Sequence, residues 1–367
     1  MSGNSTVSVA QRLSASIVAS ATFNTLILLL TLVGNSLVCF SVYYFPRLRK
    51  PTNYLIVSLA VSDLLVGAFS IPFRIAQTVN GERFPESLGY AGCRFWLWID
   101  ALCCSASIFN LVSISIERLM AVKWPLRHRT EMTSKRAFLM ILLVWISALL
   151  VASLVFVNWS GREIVVIAPQ CGVLSRAYVT ILAFACFFVP LAILLCNYAC
   201  ILKTAIGRAR QMQKDKDANA VSFTSKRGTN KADTTGTPTT PSKDISIGIN
   251  RCVDPLADSH RRPTKSTRLQ SMRQLKATTT IAIVLGVFIF SWFPFFVIFL
   301  TSNYCTDCFS PTRIPRQLGT AIVVTFVYVL PVSNSAVNPI IYTCFNETFR
   351  SAFVQIIKNI TRKSDAV

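Results

Sequence analysis

Hydrophobic and polar positions alternate along this 367-residue chain on the scale of whole helices. Apolar stretches run at about 18–44, 54–79, 94–122, 136–157, 177–202, 277–301 and 318–342. Each is long enough to cross roughly 30 Å of hydrocarbon. A segment in lipid must satisfy its backbone internally, so the pattern predicts an all-α membrane fold of seven transmembrane helices. The stretch at about 206–270 is rich in Thr, Ser, Lys, Asp and Pro, shows no sustained periodicity, and reads as a disordered loop. After Tyr342, the stretch Phe345–Ile357 spaces Phe345, Phe349, Phe353 and Ile356 at helical intervals among polar residues. That predicts a short amphipathic helix lying on the membrane, where Arg350 and Lys358 suit anionic lipid. The expected division is a terminal segment 1–17, a spanning domain 18–342 and a tail 343–367.

Basic residues give the orientation. Arg47, Arg49 and Lys50 join the first two spans, and Lys123, Arg127, Arg129, Lys135 and Arg136 join the third to the fourth. The long loop and the tail are also basic, whereas the opposite connections are sparse and mixed in sign. The positive-inside tendency then puts the N-terminus outside and the C-terminus in the cytoplasm, as expected for a plasma-membrane protein. Asn4-Ser5-Thr6 and Asn158-Trp159-Ser160 fall on the outer side as glycosylation acceptor patterns. The first 16 residues lack the basic start of a cleavable signal, so the first span is expected to direct insertion.

Composition agrees. The chain is 52% hydrophobic and 14% charged, against about 25% charged in soluble domains. Its formal net charge of +21 would suit nucleic acid, but the charge sits between apolar runs, so no nucleic-acid partner is expected. Cys39, Cys103, Cys104, Cys186, Cys196 and Cys200 lie inside spans and read as buried thiols. Cys93, Cys171, Cys305 and Cys308 lie at span ends, where an oxidising compartment is within reach. No second ligand pair follows Cys305 and Cys308 at zinc-finger spacing, and no metal is expected from them.

Ionisable residues inside spans mark function by default. Asp63 is deep in the second span and too short to reach an interface. Asp100 lies near the outer end of the third, two turns below Cys93. Arg74 lies near the outer end of the second, and Glu117-Arg118 closes the third on the inner side.

The chain resembles the rhodopsin-like G-protein-coupled receptors in every span. The markers are Gly34-Asn35, Leu59-Ala60 through Asp63, Cys93 with Glu117-Arg118-Leu119, and Trp145. They continue with Pro190 and Tyr198, Phe288 with Trp292-Phe293-Pro294, and Asn338-Pro339-Ile340-Ile341-Tyr342 followed by Phe349. Within that family it is most similar to biogenic-amine receptors, and among those to the inhibitory dopamine-type branch. The resemblance implies a ligand site of Asp100, Cys104, Trp292, Phe295, Phe296 and Tyr328, with Arg74 at its rim. It implies a sodium site of Asp63, Ser107, Asn334, Ser335 and Asn338, and disulfides Cys93–Cys171 and Cys305–Cys308. Glu117, Arg118, Ile108, Pro190, Tyr198, Phe288, Pro339 and Tyr342 fall on the family's activation machinery. The implied partners are a small amine, a heterotrimeric G protein, arrestin, receptor kinases and lipid. No cofactor beyond allosteric Na⁺ is implied.

The residues depart from that pattern in places. Leu182, Ala183 and Cys186 stand where catecholamine receptors carry serines, and unpaired hydroxyls cost about 1–3 kcal/mol each. Arg74 replaces an apolar rim residue; it pairs with Asp100 or Glu82, or it binds a carboxylate. Gln274 replaces the acidic partner of Arg118. A transporter would show internal repeats and broken helices, a retinal pigment a Lys in the seventh span, and an enzyme a nucleophile–base set; His128 and His260 both fall on the cytoplasmic side.

Overall fold

The computed structural model describes residues 3–80, 83–157, 171, 175–229, 265–305, 307–309 and 313–364. Asn158 and Glu82 lie outside these residues. The side chains of Asn4, Gln274 and Tyr328 also fall outside the description, although their backbones are helical.

The helices are α1 (Gly3–Tyr44), α2 (Pro51–Leu65, Val66–Ser70 and Ile71–Val79), α3 (Gly89–Lys123) and α4 (Ser134–Ser153, closed by a turn at Leu154–Phe156). They continue with α5 (Arg176–Ala183, Phe184–Phe188 and Val189–Thr229), α6 (Lys265–Tyr304), α7 (Arg316–Val323, Val324–Val329 and Leu330–Phe345) and α8 (Glu347–Ser364). Seven of them are long and apolar enough to cross a membrane. A short helix, Pro125–Glu131, joins α3 to α4. Residues 1–201 and 276–367 form one compact unit; 202–275 form a second.

Local chemistry sets the boundaries. Pro51 opens α2 at a position where a missing N–H costs nothing. The Thr133 and Ser175 hydroxyls accept from the backbone N–H groups of Arg136 and Tyr178, capping α4 and α5. The middle segments of α2, α5 and α7 are π-helical turns. Each ends two residues before a proline: Pro72, Pro190 and Pro331. A proline ring clashes with the carbonyl four residues back. Widening the preceding turn relieves that clash without breaking the helix.

Polar side chains collect inside the bundle beside its apolar core, and the outward face is apolar, as lipid requires. Asn35, Ser62, Asp63, Ser105, Asn110 and Asn338 are buried, while Leu139, Leu142, Leu143 and Leu150 of α4 face outward. Buried hydrogen bonds tie the helices together. The Trp145 indole donates to Ser58 Oγ at 3.1 Å, joining α4 to α2. Asn197 donates to Ser115 Oγ at 3.0 Å, joining α5 to α3. Leu59, Ile108, Leu194, Phe288 and Tyr342 bring five helices into one apolar cluster.

The helix α1 is continuous from Gly3, and its apolar span starts at Ile17. Two expectations change. The loop expected from about 206 begins later: α5 runs on to Thr229, and α6 starts at Lys265. Ala, Arg, Gln and Lys dominate the first part of that extension, and they hold a helix without an apolar face. Finally, the stripe of α8 is not left for lipid. Phe349, Phe353 and Ile356 are buried in the same cluster as Val38 and Val42 of α1, with Phe345 alone of the four exposed. The apolar face is covered by the bundle.

Gly34 sits where α1 meets α7. A Cβ there would lie 2.8 Å from Pro339 Cγ and 2.9 Å from its Cβ. A proline ring cannot swing aside. Gly34→Ala is therefore expected to cost about 1–3 kcal/mol, the usual range for overpacking. The thermal unfolding midpoint in detergent measures this, and an unchanged midpoint would refute the close approach.

Candidate functional site

A cavity of about 320 Å³ opens between α2, α3, α5, α6 and α7. Most of the side chains around it come from α3 and α6, and others come from α2, α5 and α7, which carry the proline-linked π turns. Ser70 ends the π turn of α2, and its hydroxyl donates to the Asp100 carboxylate on α3. The other carboxylate oxygen of Asp100 faces the Arg74 guanidinium at 3.5 Å. Of the alternatives open for Arg74, Asp100 is thus its partner among the described residues. The guanidinium also lies 5.9 Å from the Trp96 ring centre. Its Nε is buried and has no acceptor among the described residues. Asp100 keeps 35% of its side chain exposed and Arg74 keeps 14%, so the carboxylate is the more accessible half of the pair.

The rest of the cavity is apolar and aromatic. Trp292, Phe295 and Phe296 of α6 line it, with ring centres 5.1–5.9 Å apart. Phe296 stacks on Phe187 at 4.5 Å, which fixes the α6 aromatics against the π turn of α5. Cys104, Leu182 and Cys186 also line it, and the Cys186 thiol is 3.0 Å from the Ser105 hydroxyl. Cys171, bonded to Cys93, closes one side. Cys305 and Cys308 form a second disulfide. Tyr328, expected here, falls outside the described side chains; its neighbour Val327 lines the cavity.

A second polar group lies deeper. Asp63 is fully buried. Asn338 donates to one carboxylate oxygen at 2.8 Å, and Ser107 to the other at 3.4 Å. Ser62 and Ser107 hydroxyls lie 2.8 Å apart, and Asn35 donates to the Ser335 carbonyl at 3.0 Å. Asn334 and Ser335 are buried alongside. No Arg, Lys or His forms an ion pair with Asp63 among the described residues. An isolated carboxylate is costly to bury, and a nest of hydroxyl and amide oxygens offers hard ligands to a cation.

Ile108, Pro190 and Phe288 are buried, and the Phe288 ring centre lies 6.4 Å from that of Trp292. Any shift of Trp292 therefore meets this packing directly. At the other end of α3, Glu117 is fully buried and shared by three partners. Arg118 Nε lies 3.1 Å from one oxygen; His128 Nε2, at 2.7 Å, and the Thr52 hydroxyl, at 2.6 Å, both engage the other. His128 is carried there by the helix Pro125–Glu131. Glu131 anchors that helix by accepting from Arg127 and Arg136 at 2.6 and 2.7 Å. Those hydrogen bonds, from Arg136 first and then Arg127, hold the Glu131 carboxyl below its ordinary range. Tyr342 is buried against Phe349, while the Tyr198 hydroxyl has no partner among the described residues.

Ser70, Thr52 and His128 were not among the expected residues. Ser and Thr in helices carry no charge signal, and a loop His reads as a solvated one.

The family described as "7 transmembrane receptor (rhodopsin family)" matches residues 34–342. The human 5-hydroxytryptamine receptor 1F is 31% identical over 95% of this chain and 94% of its own. The D(1A) dopamine receptor of Didelphis virginiana is 30% identical over 93% and 73%. The alpha-1A adrenergic receptor of Cavia porcellus is 32% identical over 89% and 64%. These levels are alike and do not single out a dopamine branch.

His128→Ala removes one of three partners from a buried carboxylate. The expected loss is about 1–3 kcal/mol of stability, visible as a fall of a few degrees in the unfolding midpoint. His128→Gln, which keeps a donor, is expected to recover part of it. Equal midpoints for all three proteins would show that the contact carries no energy.

Proposed function

This chain belongs to the rhodopsin family of seven-transmembrane receptors, multi-pass membrane proteins that signal and are not enzymes, and we propose that its ligand is a small protonated amine held by Asp100. One observation carries this: a partly exposed carboxylate projects into an otherwise aromatic and apolar cavity. In a low-dielectric site, such a carboxylate pairs strongly with an ammonium and orients it. The faces of Trp292, Phe295 and Phe296 suit the ring of an arylalkylamine. The names of the relatives, for 5-hydroxytryptamine, dopamine and adrenergic ligands, support the same class. Leu182 and Cys186 on the cavity wall and Ala183 beside them argue against a catechol, whose hydroxyls need partners.

Signalling then runs down the bundle. An occupied cavity presses on Trp292, and Ile108, Pro190 and Phe288 repack beneath it. Asp63, Ser107, Asn334, Ser335 and Asn338 hold Na⁺ in the resting state and release it as α7 moves about Pro339. Arg118 leaves Glu117, and Tyr198 and Tyr342 support the opened face that receives a heterotrimeric G protein of the inhibitory type. Arrestin and receptor kinases act on the same face, and Arg350 and Lys358 of α8 meet lipid. The N-terminus is extracellular at the plasma membrane, with Asn4 and Asn158 as glycan acceptors.

Asp100→Asn is expected to weaken agonist potency at least about 100-fold at matched surface expression, because an interior ion pair is worth several kcal/mol. Asp100→Glu, which keeps the charge, is expected to retain a measurable response. Full potency in Asp100→Asn would remove Asp100 as the anchor.

By sequence pattern, Gln274 occupies the position of the acidic partner that the family resemblance implies for Arg118, and a neutral amide makes a weaker bond than a carboxylate. Each 1.4 kcal/mol lost from the resting state shifts the ratio about tenfold. Gln274→Glu is therefore expected to lower ligand-free G-protein activation severalfold, and unchanged or higher basal signal would contradict it.

A further inference from the structure

Arg74 and Asp100 are the charged side chains lining the cavity among the described residues, and they already face each other at 3.5 Å. The cavity is thus electrically neutral before any ligand arrives. A simple monocation changes that. Its ammonium would share Asp100 with Arg74, leaving one uncompensated positive charge in an apolar enclosure. Uncompensated charge in such surroundings is strongly penalised.

Arg74 has unused capacity of the opposite kind. Its guanidinium carries five donors and no acceptor. One terminal nitrogen faces Asp100, while the buried Nε has no acceptor among the described residues. The Trp96 face holds the guanidinium in position. Gln77, one turn further along the same face of α2, lines the cavity beside it and adds an amide donor. A buried, positioned guanidinium with an unpaired donor calls for an anionic oxygen acceptor, and a planar carboxylate fits it in two-point fashion.

We infer that this receptor recognises a zwitterion: an aromatic α-amino acid whose ammonium pairs with Asp100 and whose carboxylate pairs with Arg74. The inference rests on the reading of Asp100 as the ammonium anchor and adds a second charge to it. In an α-amino acid the two charges sit on one carbon, side by side, as Arg74 and Asp100 do. Laid antiparallel against that pair, each ligand charge meets its opposite and the cavity stays neutral. The side chain then points toward Trp292, Phe295 and Phe296. A volume of about 320 Å³, at the small end of ligand sites, admits one aromatic ring system. Discrimination arises because a ligand lacking the carboxylate leaves Arg74 competing for Asp100.

The test uses the full-length receptor in cells, and the purified receptor for ligand-induced thermal stabilisation. The probes are L-phenylalanine, L-tyrosine and L-tryptophan, each against its decarboxylated amine: phenethylamine, tyramine and tryptamine. At least one amino acid is expected to engage the wild type at least about tenfold more strongly than its own amine. Its methyl ester, which keeps the ammonium and loses the anion, is expected to behave like the amine. Arg74→Leu should abolish or reverse the preference. Arg74→Lys, which keeps the charge opposite Asp100, should retain part of it and covers the case of a Leu variant that does not reach the surface. Amines stronger than amino acids on the wild type, a preference that survives Arg74→Leu, or no engagement by any probe each overturns the inference. The two readings separate cleanly. Amines that act and are lost in Asp100→Asn, with amino acids inert, leave the anchor standing and remove the zwitterion. An amino acid that engages Asp100→Asn undiminished removes the anchor itself.

Discussion

A charge or polar group inside a low-dielectric bundle must find a partner, and in this molecule the search for partners organises the interior. Asp63 draws Ser107 and Asn338 to itself, and Asn35 reaches the Ser335 carbonyl beside them. Four helices, α1, α2, α3 and α7, are thereby held around one carboxylate. Asp100 takes Ser70 and Arg74 from α2. Glu117 takes Arg118, Thr52 and His128. Three acidic residues, spread along the bundle's length, each gather directional contacts from neighbouring residues. The apolar packing fills in around them with little directional preference.

Proline gives these contacts their geometry. Three helices each carry a π turn two residues before a proline, and the turns supply side chains to the cavity or its immediate support. Ser70 reaches Asp100 from the first, Cys186 and Phe187 come from the second, and Val327 from the third. A regular helix would rotate those side chains away by the angle of one residue. The local cost of accommodating a proline is converted into a concave, irregular wall. The same logic explains Gly34: only the absence of a Cβ lets α1 approach the Pro339 ring.

Much of this was legible in the sequence, for identifiable reasons. Apolar runs of span length read directly as helices, and every expected span is matched by an observed one. Asp63 and Asp100 stood out because a short acidic side chain deep in an apolar run cannot reach water. Other features carried no such contrast. Thr52, Ser70 and His128 are polar residues near polar segments, and nothing in their spacing says which carboxylate they meet. The helical extension of α5 to Thr229 has no apolar periodicity to betray it. The stripe of Phe349, Phe353 and Ile356 was visible, but periodicity alone does not tell a lipid-facing stripe from one packed on a neighbouring helix, and here the neighbour is α1. Arg74 was seen as anomalous, and only the fold chose Asp100 as its partner.

Arg74 and Asp100 are proposed to act as one neutral unit that the ligand enters as a matched pair. A double-mutant cycle on the ligand-free receptor tests this directly. Thermal stability is compared for wild type, Arg74→Leu, Asp100→Asn and the double variant. For a partly exposed ion pair, the expected coupling is about 0.5–1 kcal/mol, with the double variant less destabilised than the sum of the singles. Additive effects, with coupling indistinguishable from zero, would mean that the two charges do not sense each other and that the cavity is not the matched pair described here.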